Sequence, residues 1–347
     1  MFIEKFLNEN GLDPEVVPEI EPTNEGFDME ALTITDAIGL MEADMHKLEM
    51  SRMALEVNSV ANLHRGKMLV EDAIQLQEAS IKGAFDAIKG FLSKMWARIK
   101  EAWNTFLIKI MKLFKADGKL LQLASAALKN ITHTDNIEVD GYVYTLDAVV
   151  PMTVFTKMKT KIEAATGDSD AICGKEAIDA YCEAGTGYTK DKYVEELKKA
   201  LRNGASEKVK IKFNQQTVEE NIKGYKLALS KLKDLKKDID KAGSDSIAAI
   251  NKLKKDAEKD EDKKTYEARA KAMKDASTVA AKCVQLKIDA IKEQVGQSRS
   301  LLSKAVSGGR KADREAAKAA KDASKSTDDN AQKTNEGVDF AALMRQF

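Results

Sequence analysis

With 347 residues, 32% of them charged, 6% aromatic and only four prolines, the chain has room for two or three domains and a composition weighted toward long helices. The 56 basic and 56 acidic side chains cancel only across the whole chain: residues 1–78 hold seventeen acids against five bases, a net −12, so the remainder carries +12. Cys173, Cys182 and Cys283, with no Cys-x-x-Cys spacing, imply neither a zinc site nor a disulfide framework, and charges recurring every few residues exclude an uncharged run of the roughly 20 residues a transmembrane helix needs.

In chain order, residues 1–30 are acidic, contain Pro14, Pro18 and Pro22, and show no sustained period, which predicts an extended or disordered start. The opening MFIEKFLNEN lacks a basic run followed by an apolar one, so no secretory signal is expected, and synthesis in a reducing cytoplasm follows. From Thr33 a helix is expected: Thr35-Asp36 offers a cap, and Ile38, Met41, Met45, Leu48 and Leu55 mark a stripe. After a break near His64-Arg65-Gly66 the pattern runs through Leu69, Ala73 and Leu76 into the most regular stretch of the chain.

That stretch is Ile81 to Lys115. Its large apolar residues Phe85, Ile88, Phe91, Leu92, Met95, Trp96, Ile99, Trp103, Phe106, Leu107, Ile110 and Phe114 keep the three-and-four spacing that only an α-helix turns into one face. Lys82, Lys89, Lys94, Arg98, Lys100, Lys109, Lys112 and Lys115 occupy the other arc. Two readings stand for this basic, tryptophan-bearing amphipathic helix: its apolar face packs on other helices of this chain or a partner, or it enters a lipid interface while the lysines meet anionic headgroups. Asp117-Gly118 is expected to end it, with one short helix following over Leu120–Leu128.

The texture then changes. Ile137-Glu138-Val139 and Tyr142 to Leu146 read as strands around an Asp140-Gly141 turn, and Lys208 to Phe213 alternates as a third strand. Helical patterns near 152–165, 170–184 and 190–202 lie between them, which predicts a compact α+β domain over 131–215 with its own core. From 216 to 305 apolar seams with lysine-rich outer faces predict a helical hairpin or bundle, interrupted at Ala242-Gly243-Ser244-Asp245 and along the charged Lys254–Lys264. Residues 306–347 read as a flexible polar tail ending in an apolar peptide, Val338 to Phe347, suited to docking. The fold class expected is therefore mainly α, with one small α+β domain inserted between long helices and flexible termini.

No catalytic constellation is visible. His46, His64 and His133 are scattered, and Gly185-Thr186-Gly187-Tyr188-Thr189-Lys190 lacks the spacing of a phosphate loop and reads as a helix cap. No enzymatic activity, no cofactor and no metal are expected.

One processing pattern stands out. Leu-x-Glu triplets occur four times, at Leu7, Leu40, Leu69 and Leu76, all before residue 79, where about one is expected by chance. With Leu76-Gln77-Glu78 before Ala79-Ser80, and secondarily Leu40-Met41-Glu42, the chain resembles the internal head and capsid-core proteins of large tailed bacteriophages. The resemblance implies cleavage after Glu78 by a head-maturation protease, release of residues 1–78 as an acidic propeptide, and a +12 body starting at the basic helical region 79–130. It also implies a non-enzymatic virion protein, made in the host cytoplasm and packaged in the head, whose partners are other capsid proteins and, nonspecifically, DNA; oligomers and, on ejection, the host membrane are further expected partners. The alternative, from the residues alone, is a membrane-active helical effector or pore-forming protein that inserts the apolar face of 81–115.

Overall fold

The computed structural model of the chain describes residues 70–127, 136–139, 144–204, 209–260 and 262–335, with Glu42, Ala43, Met45, Lys47 and Met50 as isolated helical positions. The expected extended start, the cap at Thr35-Asp36, the break at His64-Arg65-Gly66, the Asp140-Gly141 turn and the peptide from Val338 lie outside the described residues.

In chain order the elements are α1 (Val70–Ala127), β1 (Asn136–Val139), a 3-10 helix (Leu146–Ala148), α2 (Pro151–Ala164), α3 (Ser169–Cys173), α4 (Lys175–Thr186), α5 (Tyr193–Leu201), β2 (Val209–Lys212), α6 (Gln215–Ala257) and α7 (Lys263–Asn335). The fold is mainly α. At about 1.5 Å per residue α1, α6 and α7 are roughly 87, 65 and 110 Å long.

The axis of the molecule is α7, which touches α1, α2, α3, α4, α5 and α6. A helix enclosed on so many sides has no polar face to spare, and between 268 and 291 α7 buries Ala268, Ala270, Ala272, Ala276, Ala280, Ala281, Cys283 and Ala290 around Met273, Val284, Ile288 and Ile291. Small side chains let neighbouring helices approach from several directions at once. The expected hairpin is formed by α6 and α7. Its turn is closed by carboxylates: Asp260 Oδ1 accepts from the Asp262 amide at 3.0 Å, and Asp262 Oδ2 accepts from Thr265 Oγ1 at 2.6 Å, satisfying groups at the open start of α7.

Several expectations are corrected. α1 does not stop at Asp117-Gly118 but runs through to Ala127; one helical glycine costs about 1 kcal/mol, and Lys119, Leu120, Leu121, Gln122 and Leu123 beyond it are strong helix formers. Likewise, α6 passes unbroken through Ala242-Gly243-Ser244-Asp245. Gly243 is there because the Trp96 indole packs on it: a Cβ would lie 3.2 Å from Trp96 Cγ. Beyond 306 the backbone of α7 continues helically to Asn335, in keeping with the many alanines there, alanine being the best helix former.

The separate α+β domain does not form as an independent unit. β1 pairs antiparallel with β2, Ile137 opposite Ile211 and Val139 opposite Val209; the first residues of the strand expected from Tyr142 lie outside the described residues. Tyr144 and Thr145 lead into the 3-10 helix, and Thr145 N donates to Leu201 O at 2.8 Å. The pattern near 170–184 is two helices, because Gly174 N turns back onto Asp170 O at 2.8 Å, where a side chain would collide with that carbonyl. α4 does end at Gly187, in the left-handed region at φ +86°, as the cap reading expects. The apolar sides of α2, α4 and α5 (Phe155, Met158, Ile162, Tyr181, Leu197 and Leu201) merge with those of the long helices into a single core. Four short helices cannot bury their faces on one another when the alanine-lined flank of α7 lies beside them.

Candidate functional site: the exposed face of α1

The apolar arc of α1 is sealed within this chain. Phe85, Ile88, Phe91, Leu92, Met95, Trp96, Ile99, Trp103, Phe106, Leu107 and Ile110 are each at most 5% exposed, and α1 packs on both α6 and α7. Phe114 falls within the helix, but its side chain lies outside the described residues. Of the two readings open for this face, packing within the chain is the arrangement found. Burying each large apolar side chain is worth about 1.5–3 kcal/mol, so the face is committed to holding the bundle together. Two polar atoms in it, Trp96 Nε1 and Trp103 Nε1, are buried without an acceptor among the described residues.

The basic arc faces solvent. Lys82, Lys94, Arg98, Lys100 and Lys109 are exposed and Lys89 is half-buried; Lys112 and Lys115 are helical positions whose side chains are outside the described residues. Lys100 Nζ lies 2.9 Å from Asp240 on α6, and Asp86 accepts from Lys254 Nζ at 2.6 Å. With Trp96 over Gly243, these contacts fix α1 antiparallel to α6. Both pairs are half-exposed and worth at most about 1 kcal/mol each, so they set register more than stability.

The bond between Glu78 and Ala79 lies inside α1, eight residues past its start at Val70; Leu76 is in the same stretch and Ala79 is exposed. A protease needs extended backbone, so the first turns must unwind before this bond enters an active site. Ile99-Lys100-Glu101 and Ile291-Lys292-Glu293, triplets of the same type, lie deep within α1 and α7 and are shielded more strongly by the same rule. Met45 of the acidic segment is only 5% exposed and belongs to the common core. A cut after Glu78 would sever the covalent tie of a segment that contributes Met45 to the folded body.

Cys173, Cys182 and Cys283 are free thiols whose pKa values burial pushes up, which keeps them protonated and poorly nucleophilic. Among the described residues no group of His, Cys, Asp or Glu is placed to hold a metal ion, and no helix is long and apolar enough to cross a membrane.

Two polar clusters carry no sequence signal, since their members are far apart in the chain. In one, Arg202 donates from Nε and Nη2 to Glu293 at 3.0 and 2.8 Å, Tyr144 OH donates to Glu293 Oε2 at 2.8 Å, and Tyr144 N donates to Gln294 Oε1 at 2.8 Å. This ties the segment entering the 3-10 helix to α7. In the other, Lys287 is 2% exposed and burial pushes its pKa down, opposed by the Asp238 and Asp147 carboxylates; burial in turn pushes Asp238 up.

No family model, curated protein or solved structure matches the chain.

Proposed function

We propose that the chain is a non-enzymatic virion structural protein of a large tailed bacteriophage, packaged in the head, where its body lies against DNA and capsid-core proteins. The observation that carries this reading is the separation of charge at one point of the chain: −12 before Ala79, +12 after it, with Leu76-Gln77-Glu78 at the boundary. A body whose apolar arc is consumed in packing, and whose basic arc remains in solvent, suits nonspecific contact with a polyanion, where affinity comes from counterion release and needs no base-reading motif. Loss of residues 1–78 would remove the acidic competitor for that contact. The test is the intact mass of the protein recovered from purified particles. A species starting at Ala79 in the head fraction supports the reading, and its absence from particles refutes it.

A membrane-active effector is the second reading, and one observation favours it. Trp96 and Trp103 bury indole N–H groups that have no acceptor among the described residues, an arrangement that costs about 1–3 kcal/mol each, and both would find oxygen partners at a lipid interface. That route requires α1 to leave α6 and α7. Leakage of anionic vesicles by the intact chain, abolished in Trp96→Glu/Trp103→Glu, would favour it; an inert chain would count against it.

A further inference from the structure

We infer that the contact surface for duplex DNA is the seam between α1 and α6, where lysines of both helices line one channel, and not the solvent face of α1 as a whole. This rests on the polyanion reading above and narrows it to one strip of the molecule.

Lys82 and Lys100 are eighteen residues apart, five full turns at about 100° per residue, and Lys89 falls about 20° from the same line. That line is the edge of α1 facing α6, because Lys100 meets Asp240 across it at 2.9 Å. On α6, Lys226, Lys237 and Lys255 fall within about 20° of one another and about 40–60° from Asp240, on its solvent side. All three are exposed. The two acids at the seam, Asp86 and Asp240, are already neutralised by Lys254 and Lys100. Lys82, Lys89, Lys226, Lys237 and Lys255 thus leave five positive charges along the channel with no ion pair among the described residues. Lys94, Arg98 and Lys109 lie about 120–180° away from the seam line, on the far edge of α1.

The partner follows from what the seam has and lacks. From Lys226 to Lys255 it is about 44 Å long at 1.5 Å per residue, the length of roughly 13 base pairs at 3.4 Å each. In the register set by Asp86–Lys254 and Lys100–Asp240, Lys82 and Lys89 lie beside Lys255 at one end of the channel, and Lys237 and Lys226 continue the row of ammonium groups along α6 toward the other. Among the described residues, the aromatic side chains Phe85, Phe91, Trp96, Trp103, Phe106 and Tyr225 of these two helices are buried, and so none of them offers a platform for stacking unpaired bases. Exposed apolar side chains nearby, Ile108 and Leu227, stand singly and form no wedge for lipid.

The experiment is fluorescence anisotropy of a labelled 20-bp mixed-sequence duplex with the full chain, repeated across a salt series. Five phosphate contacts predict a slope of log K against log salt of about −4.5. Lys226→Gln/Lys237→Gln/Lys255→Gln, all at exposed sites, should bring the slope to about −2 with helix content unchanged by circular dichroism. Lys94→Gln/Arg98→Gln/Lys109→Gln should leave it where it was. Equal losses in the two triple variants would overturn the seam while leaving DNA contact standing. No salt-sensitive binding by the parent chain would sink the polyanion reading itself. Co-sedimentation with phosphatidylserine vesicles that depends on the seam lysines, beside duplex binding that does not, would reassign the seam to lipid.

Discussion

Four glycines inside the long helices give a test of the α1–α6 crossing on which the candidate face depends. Replacing a helical glycine with alanine gains about 1 kcal/mol where the new methyl meets nothing. Gly90 in α1 and Gly296 in α7 are such sites, with no atom within 4 Å of an added Cβ, so Gly90→Ala and Gly296→Ala should each stabilise by about 0.5–1 kcal/mol. At Gly243 the same methyl would sit 3.2, 3.3 and 3.4 Å from Trp96 Cγ, Cδ2 and Cβ. Trp96 is 2% exposed and cannot swing aside, so the helix gain is spent on pushing α1 outward, and Gly243→Ala should be at least about 1 kcal/mol less favourable than Gly90→Ala. Gly243→Leu overpacks outright and should destabilise by roughly 1–3 kcal/mol. Gly224 is the second crowded site, its added Cβ 3.0 Å from Gln294 Nε2, and Gly224→Ala should disturb the amide that receives Tyr144 N. Urea titration followed by tryptophan emission is the assay, because both tryptophans of the protein sit on the buried face of α1 and report its release. Equal midpoints for Gly243→Ala and Gly90→Ala would refute the placement of Trp96 on α6.

Three further outcomes are expected. Glu293→Ala strips the acceptor from both Arg202 and Tyr144 and should cost about 1–3 kcal/mol, whereas Tyr144→Phe removes one donor and should cost about 1; the two urea midpoints measure this. Lys287 has a folded pKa below its ordinary 10.5, so the unfolded chain binds more protons in the window between those values and stability rises with pH there. Lys287→Met should accordingly stabilise at neutral pH, with the advantage shrinking toward pH 10.5; a pH-independent gain would show that the charge at 287, beside Asp238, Asp234, Asp147 and Lys231, is not the cause. Finally, a glutamate-specific protease should cut the intact chain after Glu258, exposed in the α6–α7 turn, before it cuts after Glu78 within α1. First appearance of a fragment starting at Ala79 by mass spectrometry would contradict the helical start at Val70.

What the sequence discloses here divides along a physical line. α1 was legible because its period is long and its two faces differ sharply, and the α6–α7 hairpin because its apolar seams repeat. Local rules failed where a tertiary neighbour supplies the reason for a residue. Gly243 reads as a break until Trp96 is seen lying on it. Ile137–Val139 reads as half of a hairpin until β2, some seventy residues on, proves the better partner. The alanines of α7 read as weak hydrophobes, yet their small size is what lets one helix be surrounded by several.

The same division governs function. The basic arc of α1 is written in its own spacing, but whether its apolar arc faces lipid or protein is not a property of α1 at all. It is decided by α6 and α7, which pack on it: Gly243 of α6 leaves room for Trp96, and α6 and α7 are themselves joined by Ser277 Oγ donating to Ser246 Oγ at 2.9 Å. A surface that seats the Trp96 indole on Gly243 and buries Trp103 makes packing the resting arrangement, and it leaves the lysines as the part of α1 that other molecules meet. Any membrane step must begin by emptying that surface, at a cost of several side-chain burials of about 1.5–3 kcal/mol each. Contact with a polyanion requires no such rearrangement, which is why the charged seam, and not the apolar face, is the place to look first.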